Sequence, residues 1–354
     1  MSKKWVRLLT GALTVLLATM AFAGCTPTSE TPSQTPVAET ASASEAIETS
    51  AKDSEIPAEP VTVRFGYQPG HSQVTVAIAN GLFDKEFEGE NVTFEFEKFA
   101  SGPPLITALT AGEVDFGQTG DLPALSGIAN GLDIKIIGKY IASEKVNALV
   151  ATAASGITKL EDLKGKKVGF TVGSTGHHLL YIYLESVGLT PEDVEQVNLQ
   201  PGDIVASLVS GNIDAAITWE PNVSLAVANG AVKVVDGTGY KYEVDIISAT
   251  SAFATAYPDI TARILKVLDE AGKWIEANKE EAIAIVAADA GVDAAILAPI
   301  FDAIKVSEIA LTDVDIESLR ASSTFLRKYE LITVDVNVDD YIDTSFAEAA
   351  GLYS

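Results

Sequence analysis

Cysteine is nearly absent from this 354-residue chain, with Cys25 its one thiol. A single cysteine excludes an intramolecular disulfide framework, a CxxC redox pair and every multi-cysteine metal or cluster site. Histidine is almost as scarce: His71, His177 and His178 are the full set, so any chemistry that needs an imidazole runs through one of them. Basic residues are also few, 24 Lys+Arg against 49 Asp+Glu for a formal charge of -25, and no basic stretch occurs beyond the extreme N-terminus. Nucleic acid is therefore a poor partner, because phosphate binding needs a basic face. Neither an HExxH pair nor a GxSxG elbow occurs, which argues against two common enzyme classes. What the chain does have is apolar substance, 47% hydrophobic against 21% charged. That composition suits a globular body, and the length suits two or three domains or one large two-lobed unit.

The lone cysteine is explained by its neighbours. Lys3, Lys4 and Arg7 precede an apolar stretch from Leu8 to Phe22, the charged and hydrophobic regions of an export signal and too short to prefer a membrane-spanning helix. Phe22-Ala23-Gly24-Cys25 then resembles the lipobox of bacterial lipoproteins, with Phe22 where Leu is usual. The resemblance implies a signal peptide over 1–24 and a lipid on Cys25, which makes that residue an anchor and neither a redox centre nor a nucleophile. From Thr26 to Pro60 the chain is rich in Thr, Ser, Pro, Ala and Glu, with Val37, Ile47 and Ile56 as its large aliphatic side chains. Too little apolar surface is present to bury a core, so residues 25–60 read as an anchor and solvated linker spanning roughly 30 Å.

Beyond Pro60 the pattern alternates between strands and helices. Val61 to Tyr67 reads as a strand and Val74 to Asn80 as a short helix. Asn91 to Phe99 is an alternating strand, and Pro103 to Ala111 a helix with proline in its first turn. Strands at Val114 to Phe116 and Ile134 to Ile137 flank a helix at Leu122 to Ala129. A second set follows, with strands at Lys167 to Thr171, Val194 to Leu199 and Ile213 to Trp219 and a helix at His177 to Val187. Beyond Ile246 the chain reads as helix-rich. The order predicts two α/β lobes with mostly parallel sheets, the first from 61–143 plus 243–354 and the second from 144–242.

Ligands of open α/β sheets bind at the carboxyl ends of strands, so the residues just after each predicted strand carry the functional reading. In the first lobe these are Gln68-Pro69-Gly70-His71, Ser101-Gly102-Pro103 and Thr119-Gly120-Asp121. In the second they are Gly173-Ser174-Thr175-Gly176-His177-His178, Gln200-Pro201-Gly202-Asp203 and Trp219-Glu220-Pro221. Glycines and small hydroxyls at helix N-termini offer N–H and O–H donors to an anion without a cationic side chain. The same residues have quieter roles. Ser101 and Ser174 suit helix N-caps, Gly173 and Gly176 suit a tight turn, Asp121 suits a helix N-terminus, and Trp219 suits a core as well as a platform. Of the paired histidines, His177 is assigned to the cleft.

At these positions the chain resembles the solute-binding proteins of ABC importers for aliphatic sulfonates, taurine and nitrate. The likeness runs through Gly66-Tyr67-Gln68, Ala111-Gly112-Glu113-Val114-Asp115-Phe116-Gly117, Thr119-Gly120-Asp121, Leu163-Lys164-Gly165-Lys166-Lys167-Val168, Gly173-Ser174-Thr175-Gly176-His177, and Gly211-Asn212-Ile213-Asp214-Ala215-Ala216 ahead of Trp219-Glu220-Pro221. It implies a two-lobed periplasmic-binding-protein-like fold (type II) with the ligand cleft between the lobes. The implied protein is not an enzyme: it is a monomeric extracytoplasmic lipoprotein, held to the membrane by Cys25, that passes a small organic anion or zwitterion to an ABC permease. No cofactor and no metal is implied. The expected ligand contacts are Gln68, His71, Ser101, Gly102, Thr119, Gly120, Asp121, Ser174, Thr175, His177, Trp219 and Glu220, with Asp121 placed to hold an ammonium. The competing reading is an enzyme or binder for a pyrimidine or other small molecule on the same fold.

Overall fold

The computed structural model describes residues 59–353. The expected signal peptide, Cys25 and all but the end of the expected linker lie outside the described residues. Ten strands form two five-stranded sheets. The first sheet takes β1 (Val61–Tyr67), β2 (Val92–Lys98), β3 (Phe116–Thr119), β4 (Ile134–Ser143) and β10 (Glu243–Thr250), in the order β2-β1-β3-β10-β4. The second takes β5 (Asn147–Thr152), β6 (Lys167–Phe170), β7 (Glu195–Asn198), β8 (Ala215–Trp219) and β9 (Ala231–Asp236), in the order β7-β6-β8-β5-β9. The chain crosses between sheets twice, through residues 144–146 and 237–242.

Each sheet departs in the same way from the expectation of mostly parallel strands. β1 runs parallel to β2 and β3, but β10 lies antiparallel to both β3 and β4. In the second sheet β6 runs parallel to β7 and β8, and β5 lies antiparallel to both β8 and β9. The reversed strands are the two that follow the crossings. A strand entered from the neighbouring lobe arrives at the end of the sheet where the others finish, so it must run the opposite way. This corrects two readings. The segment beyond Ile246 stays in strand β10 to Thr250 before it turns helical, and β4 continues past Ile137 to Ser143, the first crossing.

Burial explains why these segments hold. Val61, Val63, Phe65 and Tyr67 are buried along β1, and Phe65 stacks on Phe116 of β3 with ring centroids 5.7 Å apart. Apolar clusters cover both faces of each sheet, the layered arrangement that lets helices bury their stripes. The helix Pro258–Ala277 buries Ile260, Ile264, Leu268, Ala271 and Ile275 against the first lobe, an i, i+4 stripe. No helix among the described residues is long and apolar enough to cross a membrane.

Candidate functional site

Three helices begin at the strand ends that the sequence singled out. Gly102–Ala111 follows Ser101, Asp121–Ala129 follows Gly120, and Thr175–Ser186 follows Ser174. None of the three preceding residues caps its helix through its side chain. The Ser101 hydroxyl instead donates 3.1 Å across the cleft to Gln200 Oε1, and Ser174 Oγ donates 2.7 Å to the Thr171 carbonyl. The capping role open to both serines is thus taken by neither. The positive ends of three helix dipoles are left facing one region.

That region is a small cavity between the lobes. From the first lobe it is lined by Gln68, Gly102, Thr119, Gly120, Pro123 and Asp245, and from the second by Ser174, Thr175 and Trp219. Its volume is about 20 Å³, room for a single water. The lobes are therefore closed on one another, and a solute enters only when they part. A second cavity of about 50 Å³ is flanked by Gly70 and Pro221 and walled largely by Ile141, Val286, Leu297, Ile300, Phe301 and Val306. Its apolar walls offer an anion little.

The polar cavity is set apart by what its surroundings leave unpaired. Thr119 Oγ1, Gln118 Nε2 and Oε1, Thr218 Oγ1, His177 Nε2 and Asp245 Oδ1 are buried and have no hydrogen-bond partner. A dry, permanently closed interface would carry about 1–3 kcal/mol of desolvation penalty for each such group. These orphans come from the ends of β3 and β8, from the first turn of the Thr175–Ser186 helix and from β10. Of these, the Thr119 hydroxyl stands on the cavity wall as a donor that an oxyanion takes, and Asp245 Oδ1 stands there as an acceptor.

Seven of the sequence-assigned residues meet here, namely Gln68, Gly102, Thr119, Gly120, Ser174, Thr175 and Trp219. Ser101 sits beside them on Gln200. Four others are not brought to the cavity wall. His71 accepts from the Gln68 backbone N–H at Nδ1 (3.2 Å), and its Nε2 lies 2.9 Å from Tyr140 Oη. Burial drives its pKa down to about 3, so the ring is neutral and braces the Gln68 turn. His177 accepts from Gly173 N–H (3.2 Å) and stacks on Phe170, with burial lowering it to about 4. Glu220 accepts from Ser224 N–H at 3.0 Å, at the start of the Asn222–Ala228 helix, and burial pushes its carboxyl up.

Asp121 is the clearest departure. It is 1% exposed, and its carboxylate already holds Leu122 N–H (2.6 Å), Lys241 Nζ (2.8 Å) and the Ser322 hydroxyl. Burial opposes its charge, but Lys241 and His178 hold it well below the usual range. Lys241 also reaches Glu243 Oε2 at 2.9 Å, and Asn147 Nδ2 donates to the same oxygen at 3.1 Å. Burial lowers and the two carboxylates raise the Lys241 pKa, with a net rise. His178 packs on Phe325, its Nδ1 3.6 Å from Asp121, too long for a hydrogen bond. Asp121 thus ties the second crossing to the Asp313–Lys328 helix, and it has no oxygen left for a solute.

Of the two cavity residues that were missed, Pro123 and Asp245, Asp245 is the titratable one. It is 5% exposed on β10, where burial and then repulsion from Asp121 push its carboxyl up to about 7. A signal was available: Lys241, Glu243 and Asp245 recur at every second position, the period of one strand face.

The comparisons agree with this fold. The chain is 30% identical over 226 residues to the taurine-binding periplasmic protein of Escherichia coli (strain K12), covering 63% of this chain and 69% of that protein. Among solved structures it is similar to the alkanesulfonate-binding protein SsuA from Xanthomonas axonopodis pv. citri bound to MOPS, with a TM-score of 0.75 and 25% identity. The match spans 81% of this chain and 99% of that one. The periplasmic aliphatic sulphonate binding protein SsuA from Escherichia coli gives a TM-score of 0.73 at 27% identity, over 80% and 98% of the two chains. These are binding proteins, and their fold is the two-lobed one described above. The model of the NMT1/THI5-like family matches residues 68–282, and the chain belongs to that family.

Proposed function

We propose that this protein is the extracytoplasmic receptor of an ABC importer and captures a small sulfonate between its lobes. The observation that carries the reading is the convergence of three uncapped helix N-termini and the unpaired buried hydroxyl of Thr119 on one interlobe cavity. Such a site suits a compact oxyanion with several acceptors and no need of a counter-cation. The similarity to sulfonate- and taurine-binding proteins supports the same ligand class. In this reading Gly102, Thr119, Gly120, Ser174 and Thr175 surround the anionic head, Gln68 and Trp219 border the rest of the solute, and Ser101 with Gln200 latches the closed form. The closed protein then delivers its solute to a membrane permease while a lipid on Cys25 keeps it at the membrane. Parting and closing of the lobes about the two crossings is the motion required.

The test is a thermal-shift screen with alkanesulfonates, taurine, nitrate, sulfate and pyrimidines. A true ligand at about 100 times its dissociation constant stabilises the protein by roughly 2.7 kcal/mol. Sulfonates should raise the melting temperature and pyrimidines should not. A response to pyrimidines alone, or to nothing in the panel, overturns the assignment.

A further inference from the structure

Asp245 is hard to account for in a site built only for an anion. Its carboxyl lines the same cavity as Thr119, Gly120 and Thr175, and its Oδ1 lies 2.9 Å from where a β-carbon on Gly120 would stand. An acid so close to the anion-binding turns repels an oxyanion when charged. It is also poorly served by its neighbours. The cluster around it holds three carboxyls, Asp121, Glu243 and Asp245, and one ammonium, Lys241. Lys241 is committed to Asp121 and Glu243, at 2.8 and 2.9 Å. Tyr140 is turned toward the Asp245 carboxyl from β4 and Glu243 from its own strand, while Oδ1 meets no donor.

We propose that Asp245 is the specificity residue of this cleft and that the solute is a small zwitterion, a sulfonate bearing a protonated amine a short spacer away, whose ammonium donates to Asp245 Oδ1. The inference rests on the sulfonate reading and narrows it. It moves the ammonium contact from Asp121, whose oxygens are filled, to an acid with an open one. The short spacer follows from position: Asp245 adjoins the Gly120 turn that surrounds the anionic head, so amine and sulfonate must sit within a few atoms of each other. The ammonium would give the cluster a second cation and pair the carboxylate oxygen that an anion in the cavity would meet as a like charge.

The experiment compares taurine with 1-propanesulfonate, which replaces the ammonium by a methyl group of similar size, by calorimetry on the wild type and on Asp245→Asn. The wild type should bind taurine about tenfold to a hundredfold more tightly, the range of a charge-assisted hydrogen bond. Asp245→Asn should erase most of that preference through loss of taurine affinity, leaving 1-propanesulfonate equal or improved. A second arm needs no variant: on the wild type the taurine preference should widen between pH 5 and pH 8, as Asp245 ionises. Wild-type binding of both ligands without preference, or equal losses for both in Asp245→Asn, overturns the amine contact and leaves the sulfonate reading standing. Binding of neither by the wild type overturns the sulfonate reading and this inference with it.

Discussion

A β-carbon on Gly120 would lie 2.1 Å from Thr175 Cγ2, so the first lobe meets the second at a point where only glycine fits. The Gly120 backbone is ordinary, at φ −68° and ψ 170°, and any residue could adopt it. Steric room alone makes the requirement. Gly120→Ala should therefore leave the folded lobes intact and hold them apart. Overpacking of this kind costs about 1–3 kcal/mol, which corresponds to a fall in sulfonate affinity of roughly 5- to 150-fold. Thr175→Ser removes the nearer obstacle, the methyl, while keeping the hydroxyl that donates 3.0 Å to Asn147, so the double variant should recover part of the binding, with Asp245 Oδ1 still 2.9 Å from the added carbon. Calorimetry on the three proteins decides it, and wild-type affinity in Gly120→Ala would mean that the ligand-bound form does not close at this contact.

Much of this contact was legible in the sequence. Thr119-Gly120 and Ser174-Thr175 lie where predicted strands end and helices begin, and local signals of that kind survive folding because a turn needs only its own residues. The pairing of the histidines was not legible. His177 and His178 are adjacent on one helix, yet one is held by Gly173 and Phe170 of its own lobe and the other by Phe325 and Asp121 from the opposite one. Contacts that distant in sequence leave no periodic trace. Asp245 was hidden for a related reason. β10 is buried on both faces between β3 and β4, so its apolar residues lack clean alternation, and its partners lie more than a hundred residues upstream.

Lys241 should matter to stability more than any exposed ion pair of the protein. Lys241→Met leaves Asp121 and Glu243 buried without their cation, a change that costs about 3–5 kcal/mol and lowers the melting temperature by on the order of 10 °C. Because the folded pKa of Asp121 is lowered and that of Lys241 is raised, the pair stabilises across the range between them. Its contribution is lost as pH falls through the depressed value of Asp121, and again as pH rises through the elevated value of Lys241. Adding Asp121→Asn to Lys241→Met removes the stranded charge and should restore part of the loss. Thermal unfolding at neutral pH checks this, and a double variant no better than the single one would refute the strut.

The proposed anchor predicts a change of location and no change of fold. Cys25→Ser should move the protein from the membrane to the aqueous fraction, and deletion of residues 26–59 should leave the melting temperature and ligand affinity of the body unaltered, since a tether has no packed contacts to lose. Fractionation of cells with antibody detection reads the first and thermal unfolding the second. A wild type already found in the aqueous fraction would rule out the lipid.

The last expectation concerns pH and isolates Asp245. Its folded pKa is raised to about 7, first by burial and then by Asp121, so between the ordinary carboxyl range and about pH 7 the folded protein keeps a proton that the unfolded chain has released. Stability contributed at this site therefore falls as pH rises through that window and stays low above it. Histidines act in the opposite sense: His71 and His177, lowered to about 3 and about 4, refuse protons that the unfolded chain accepts, so their contribution rises with pH up to about 6.5. A single melting curve mixes the two trends, but the difference between Asp245→Asn and wild type cancels the histidines. Glu243, pushed up by burial and then by Asp121, is common to both proteins and is compared on equal terms. The difference in melting temperature should be near zero at pH 4 and grow in favour of Asp245→Asn up to about pH 8. A difference that stays flat across that range would mean that Asp245 is already charged and paired in the closed protein, and that its buried oxygen is not held in reserve for a ligand.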